Sequence, residues 1–161
     1  MERREPQLIS GAVAGLAAGL FASLAMEQFQ KLWAAASSSG KDGGDPATVK
    51  AAGEVSQTIA HRPLAKADKG VAGEAVHYGL GAALGIAYGI AAEYRPGLTA
   101  GFGSAFGAAT ALLLDDIAVP AFGLAEAPWK TPVGTHAYSL ASHLVFGVVT
   151  EGTRSSLRKI A

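Results

Sequence analysis

The sequence predicts an all-α protein: a four-helix transmembrane bundle with Gly/Ala-rich packing faces and a short amphipathic helix in the loop between spans 1 and 2. Three observations carry this expectation. The stretches 6–26, 75–92, 96–114 and 131–150 contain no Lys, Arg, Asp or Glu, and a bilayer core needs about 20 mostly apolar helical residues. Only 16% of the 161 residues are charged, against roughly 25% in a soluble domain. Glycines also recur at every fourth position within the apolar stretches, as close helix packing in lipid favours.

The first span is placed at about 7–29, with Gly11, Gly15 and Gly19 on one face. Arg3 and Arg4 ahead of it, and Ala34-Ala35-Ala36 behind it, also fit a cleaved secretory signal. The apolar run exceeds the usual h-region of about 7–15 residues, and Glu27, Gln28 and Lys31 follow before any cleavage site. A retained span is therefore the expectation. A polar loop, 33–74, follows with Ser37-Ser38-Ser39-Gly40 and Gly43-Gly44 as punctuation. Within it, Asp45-Pro46 reads as an N-cap followed by Pro at N1. Val49, Ala52, Val55, Ile59 and Ala60 then recur at three- and four-residue intervals, which predicts an amphipathic helix from Ala47 to about His61. That helix either lies on the membrane surface or caps the bundle.

The second span is expected at about 75–94, with Gly81, Gly85 and Gly89 repeating the four-residue spacing. Glu93-Tyr94-Arg95-Pro96-Gly97 is a short Pro-Gly connection leading to a third span at about 97–119, marked by Gly97, Gly101, Gly103 and Gly107. The fourth is placed at about 133–153. A soluble bundle would carry a charged stripe on each helix, and these runs are apolar or small all round. The whole chain, 1–161, reads as one integral membrane domain.

Composition excludes several function classes. With 13 basic and 13 acidic residues, the chain lacks the basic excess that nucleic-acid binding uses, so no nucleic-acid partner is expected. Without cysteine it has no disulfide, thiolate metal ligand or cysteine nucleophile. No Walker loop, dinucleotide fingerprint, H-E-x-x-H or nucleophile elbow is present, and no catalytic residue is assigned.

Four spans bring the end of the first, the start of the second, the end of the third and the start of the fourth to one side of the membrane. On that side stand Glu27, His77, Asp115, Asp116 and His136. His143 lies seven residues beyond His136, two turns along the same face and about 10 Å deeper. Tyr78, Tyr88 and Tyr138 could add hydroxyls. Ionisable groups at membrane depth are costly and usually face the bundle interior or a water-filled cavity.

The candidate polar site is therefore His77, Asp115, Asp116, His136 and His143, with Glu27 and Glu151 secondary. Imidazoles with carboxylates suit a divalent metal, for which His77, Asp116, His136 and His143 are the candidate ligands. The same groups suit a proton relay, and two imidazoles could ligate haem. No cofactor is required by the sequence. The competing structural explanations are interfacial solvation of the carboxylates and His136, and carbonyl or hydroxyl partners for His77 and His143. Because consecutive helical positions differ by about 100°, at most one of Asp115 and Asp116 is expected to point fully inward. Glu151 is expected to pair with Arg154 or Arg158 as a structural contact.

From about His77 onward the chain resembles the YagU-like family of small bacterial inner-membrane proteins. The residues that carry the resemblance are His77-Tyr78, Gly81, Tyr88-Gly89, Gly101, Phe106-Gly107, Pro120, Gly123, Pro128, His143-Leu144-Val145, Gly147, Glu151, Arg154, Leu157 and Arg158. They span about half the chain. The Asp115-Asp116 pair departs from the family pattern, where His or Glu is more usual, and so does His136, where Glu is more usual. The resemblance implies a multi-span bacterial inner-membrane protein with a link to acid or envelope stress and no established activity.

Lys and Arg near the span ends divide equally between the two sides, which leaves the positive-inside rule without a winner. Arg3, Arg4, Arg154, Arg158 and Lys159, lying beside their spans, tilt the expectation towards cytoplasmic termini. The expected partners are the lipid bilayer and either a second copy of the chain or another membrane protein. Two functional readings follow: a non-enzymatic polar site for protons or cations, and a packing or accessory subunit of a larger membrane assembly. A metal-dependent membrane enzyme is a third.

Overall fold

The computed structural model describes residues 7–37 and 44–160; Arg3, Arg4 and the Ser/Gly punctuation at 38–43 lie outside the described residues. Every regular element among the described residues is helical. The long elements are α1 (Leu8–Ala36), α2 (Ala47–Ala60), α3 (Lys69–Tyr94), α4 (Ser104–Ala121) and α5 (Val133–Ile160). Single 3-10 turns precede α3 (Lys66–Asp68), follow it (Pro96–Thr99) and precede α5 (Pro128–Lys130).

Glycine determines how these helices meet. α1 and α3 run antiparallel, with Gly11 against Gly89, Gly15 against Gly85 and Gly19 against Gly81. A Cβ at Gly15 or Gly19 would come closer than 3.0 Å to the facing carbonyl, so the two backbones touch where no L side chain fits. α4 and α5 form a second antiparallel pair, in which Gly103 meets Gly147 and Gly107 meets the carbonyl of His143. The two pairs join where α1 packs on α5, around Ala22, Met26 and Phe146. On the other side, the Tyr88 ring stacks on Phe106 at 4.4 Å between α3 and α4.

The bundle is apolar outside and small or polar inside. α1 buries Gly11, Ala14, Gly15, Ala18, Gly19, Ala22 and Ser23, whereas Ile9 is 81% and Phe21 62% exposed. The largest fully buried side chains are Thr150, Ser23 and Ser142. In water this would forfeit the hydrophobic effect; in lipid, where dispersion and close backbone approach drive association, it is the expected arrangement. Three helical segments, Leu8–Ala36, Lys66–Tyr94 and Ser104–Ala121, are long and apolar enough to cross a membrane. α5 does not meet that description on its own, because its charge-free stretch 133–150 carries His136, His143, Tyr138 and several Ser and Thr residues, and charged residues begin at Glu151. Length and apolarity thus give three spanning helices among the described residues, where the sequence reading expected four.

Several boundaries move for identifiable reasons. α1 continues through Ala34, Ala35 and Ala36, all strong helix formers, and α3 begins at Lys69, so the polar loop is shorter than 33–74. Pro46 occupies the N-cap of α2 without a side-chain cap, and Asp45, expected to cap, instead pairs with Lys69 at 2.5 Å. His61 closes α2 in the left-handed region with φ 51°, a common C-terminal geometry. The third helix starts at Ser104 instead of 97, because Gly101, Phe102 and Gly103 all have positive φ and cannot continue a right-handed helix. α4 then changes pitch: Ala111–Ala118 is π-helical. Pro120, just beyond, has no N–H to offer the carbonyl one turn back, so the regular ladder is broken there.

Candidate functional site

The wide turns of the π segment present both aspartates to α5. Asp116 Oδ1 lies 2.9 Å from His136 Nδ1. Asp115 accepts a short hydrogen bond from the Ser139 hydroxyl and lies 3.6 Å from His143 Nδ1. Neither aspartate points fully inward, as both keep about a third or more of their side chains exposed; the π-helix nevertheless lets both reach α5. Such insertions are frequent at functional sites.

Each histidine has a defined environment. The two ring nitrogens of His136 face acceptors, the Asp116 carboxylate and the Pro128 carbonyl at 3.0 Å. A doubly protonated imidazolium satisfies that pattern by donating twice. Moving one proton from Nδ1 to the carboxylate preserves both hydrogen bonds, so the pair can hold its protons in two arrangements. His143, buried at 7% exposure, faces the Ser139 carbonyl with Nδ1 at 3.0 Å, and its Nε2 has no partner among the described residues. His77 faces the Ser23 carbonyl with Nε2 at 3.2 Å.

Two clefts meet these groups. A wider one of about 400 Å3 is lined by Asp115, Asp116, His136 and Ser139, with Met26 and Tyr138 among its apolar walls. A narrow one of about 40 Å3 is lined by His77 and His143 together with Ser23 and Thr110. Met26 borders both. The five residues of the predicted site thus fall into two neighbouring groups: Asp115, Asp116 and His136 on the wide cleft, His77 and His143 on the narrow one.

That division bears on metal binding. Among the described residues no three His, Asp or Glu side chains gather closely enough to hold a metal ion. The proposed ligand set of His77, Asp116, His136 and His143 is split, because His136 binds Asp116 while His143 turns to Ser139 and the narrow cleft. Paired imidazole and carboxylate, hydroxyls and uncommitted ring nitrogens suit proton binding and transfer.

The secondary residues occupy opposite ends of the bundle. Glu27 accepts from the Tyr78 hydroxyl at 2.6 Å and pairs with Lys31 one turn on, close to the predicted site. Glu151 is buried at 5% exposure, where Arg154 grips both its oxygens at 2.7 and 2.8 Å and Tyr88 donates at 2.9 Å. Arg158, the other expected partner of Glu151, instead binds Glu93 at 2.8 and 3.1 Å and the Gln7 side chain at 3.3 Å. Sequence reasoning missed Glu93 and Ser23. Glu93 looked like a loop carboxylate, and a lone Ser in a Gly/Ala-rich run gives no signal of its own.

Residues 52–152 match the family described as "Protein of unknown function (DUF1440)". The matched region contains His77, Asp115, Asp116, His136, His143 and Glu151, and leaves out Ser23 and Glu27. No curated protein and no solved structure matches the chain. With well over half its length matched, the chain, three of whose helices are long and apolar enough to cross a membrane, belongs to this family, whose function is unknown.

Proposed function

We propose that this chain is a four-span protein of the bacterial inner membrane that binds and relays protons through the two His–Asp pairs between α4 and α5. The single observation that supports it most is His136 held between the Asp116 carboxylate and the Pro128 carbonyl, on a cleft wide enough for water to enter. α5 is the fourth span in this reading. Its charges need not face lipid, since Glu151 and Arg154 neutralise each other and Arg158 meets Glu93 on α3. Paired charges facing the bundle interior are how membrane helices carry ionisable residues. The YagU-like resemblance supports the inner-membrane location and the link to acid or envelope stress. The basic residues that lie directly beside the first and last spans tilt this reading towards cytoplasmic termini.

Proton flux into liposomes containing the full chain tests the relay. Wild-type protein should collapse an imposed pH gradient faster than protein-free vesicles, and Asp116→Asn combined with His143→Ala should abolish the difference. Equal rates for the wild type and the double variant would defeat the reading. A second reading, an accessory subunit of a larger membrane assembly, draws on the large apolar side chains along the outside of α1, among them Val13 and Phe21. Native extraction that yields only monomer or homodimer would count against it.

A further inference from the structure

Among the described residues four buried Ser and Thr hydroxyls lie inside the bundle, and three of them donate to the carbonyl one turn back. Thr110 reaches Phe106 at 2.8 Å, Ser142 reaches Tyr138 at 2.9 Å and Thr150 reaches Phe146 at 2.7 Å. This local bond is the usual way a helical Ser or Thr is satisfied away from water. Ser23 differs. Its Oγ is fully buried and has no hydrogen-bond partner among the described residues.

Ser23 lines the narrow cleft with Thr110, His77 and His143. His143 has committed Nδ1 to the Ser139 carbonyl and His77 has committed Nε2 to the Ser23 carbonyl. Each ring therefore retains one nitrogen with no protein partner among the described residues. A buried water needs roughly 10–15 Å3 and two to four polar partners. The cleft offers about 40 Å3, and Ser23, the two histidines and the acceptor lone pairs of Thr110 supply the partners. Its remaining walls are apolar, including Leu80, Leu84 and Leu114.

We infer that the narrow cleft is a water-binding site in which water bonded to the Ser23 hydroxyl bridges His143 to His77. The water site stands on this geometry alone. Its role as the inner end of the proton path, taking a proton from the Asp115–His143 side and passing it towards α3, rests on the relay reading. The titratable groups that face His143 are Asp115 from α4 and His77 from α3; α1 contributes only Ser23 and Met26 to the shared cleft.

Solid-state NMR of the full chain in lipid bilayers, with polarisation transferred from water protons to labelled histidine and serine, tests the site. The expected result is rapid transfer to the His143 ring and to Ser23, weakened in Ser23→Ala. Thr110→Val, a near-isosteric change on the opposite wall, should weaken it as well. A dry wild-type cleft, with no transfer to either residue, would overturn the inference.

Liposome flux then separates the site from the relay. Ser23→Ala should slow flux about tenfold, the kinetic equivalent of one lost hydrogen bond. Unchanged flux in Ser23→Ala, where Asp116→Asn slows it about 100-fold, would overturn the bridging role and leave the relay reading standing. Absence of flux from the wild type despite a hydrated cleft would overturn the relay reading and, with it, that bridging role.

Discussion

His136 is held at both ring nitrogens, by Asp116 at 2.9 Å and by the Pro128 carbonyl at 3.0 Å. The contact ties the start of α5 to the π-helical part of α4 and to the turn between them. Asp116→Ala leaves one donor of that ring without its charged acceptor. We expect a loss of about 1–2 kcal/mol, towards the low end for a hydrogen bond to a charged group, because both side chains remain about one third exposed. Unfolding by denaturing detergent from mild micelles measures it, and Asp115→Ala should behave similarly through its loss of Ser139.

The glycine seams make a sharper stability prediction. Gly15→Ala places a methyl closer than 3.0 Å to the Gly85 carbonyl, so the helices must separate. Overpacking of this kind costs about 1–3 kcal/mol. Gly79→Ala and Gly134→Ala meet no atom within 4 Å and replace a poor helix former with the best one, which should leave stability unchanged or raise it by up to about 1 kcal/mol. Equal behaviour of Gly15→Ala and Gly79→Ala in the same unfolding assay would contradict the antiparallel packing of α1 on α3.

These seams also show what was readable in the sequence. The four-residue rows Gly11-Gly15-Gly19 and Gly81-Gly85-Gly89 are visible by inspection, and so is their meaning as packing faces. Which row faces which is not visible, because spacing describes one helix at a time. The level at which His77, Asp115, Asp116 and His136 stand could be counted from the spans. The π-helix could not: it depends on the break at Pro120 and on packing against α5, and uniform α-helical spacing hid the fact that both aspartates reach that helix. Glu93 was misread as a loop residue because its partner, Arg158, is distant in sequence.

Breaking the buried ion pair should cost more than breaking the exposed one. Arg154→Ala strands Glu151 at 5% exposure, with only Tyr88 still donating to it among the described residues. Removing one partner of a buried pair costs about 3–5 kcal/mol. Lys69→Ala removes the partner of Asp45 at the surface, where pairs contribute about 0–1 kcal/mol. Unfolding midpoints of the two variants compare them directly, and a similar loss in both would contradict the buried role of Glu151.

Topology follows from the opposite end. Arg158 near the end of α5 reaches the Gln7 side chain at the start of α1, so these two helix ends lie together, and the proposed four-span reading expects both on one side of the membrane. The chain has no cysteine, which makes single-cysteine labelling clean. With a membrane-impermeant maleimide, Gln7→Cys and Ile160→Cys should react from one side, and Trp129→Cys, in the exposed turn before α5, from the other. Labelling of Gln7→Cys and Ile160→Cys from opposite sides would rule out four spans.

The relay through Asp116 and His136 is tested most directly by proton flux across liposomes containing the full chain, wild type beside Asp116→Asn. The account expects wild-type vesicles to dissipate an imposed pH gradient and the variant to do so about 100-fold more slowly, the low end of what one positioned acid–base group contributes. Wild-type flux no faster than that of protein-free vesicles, or an unchanged rate in Asp116→Asn, would contradict it.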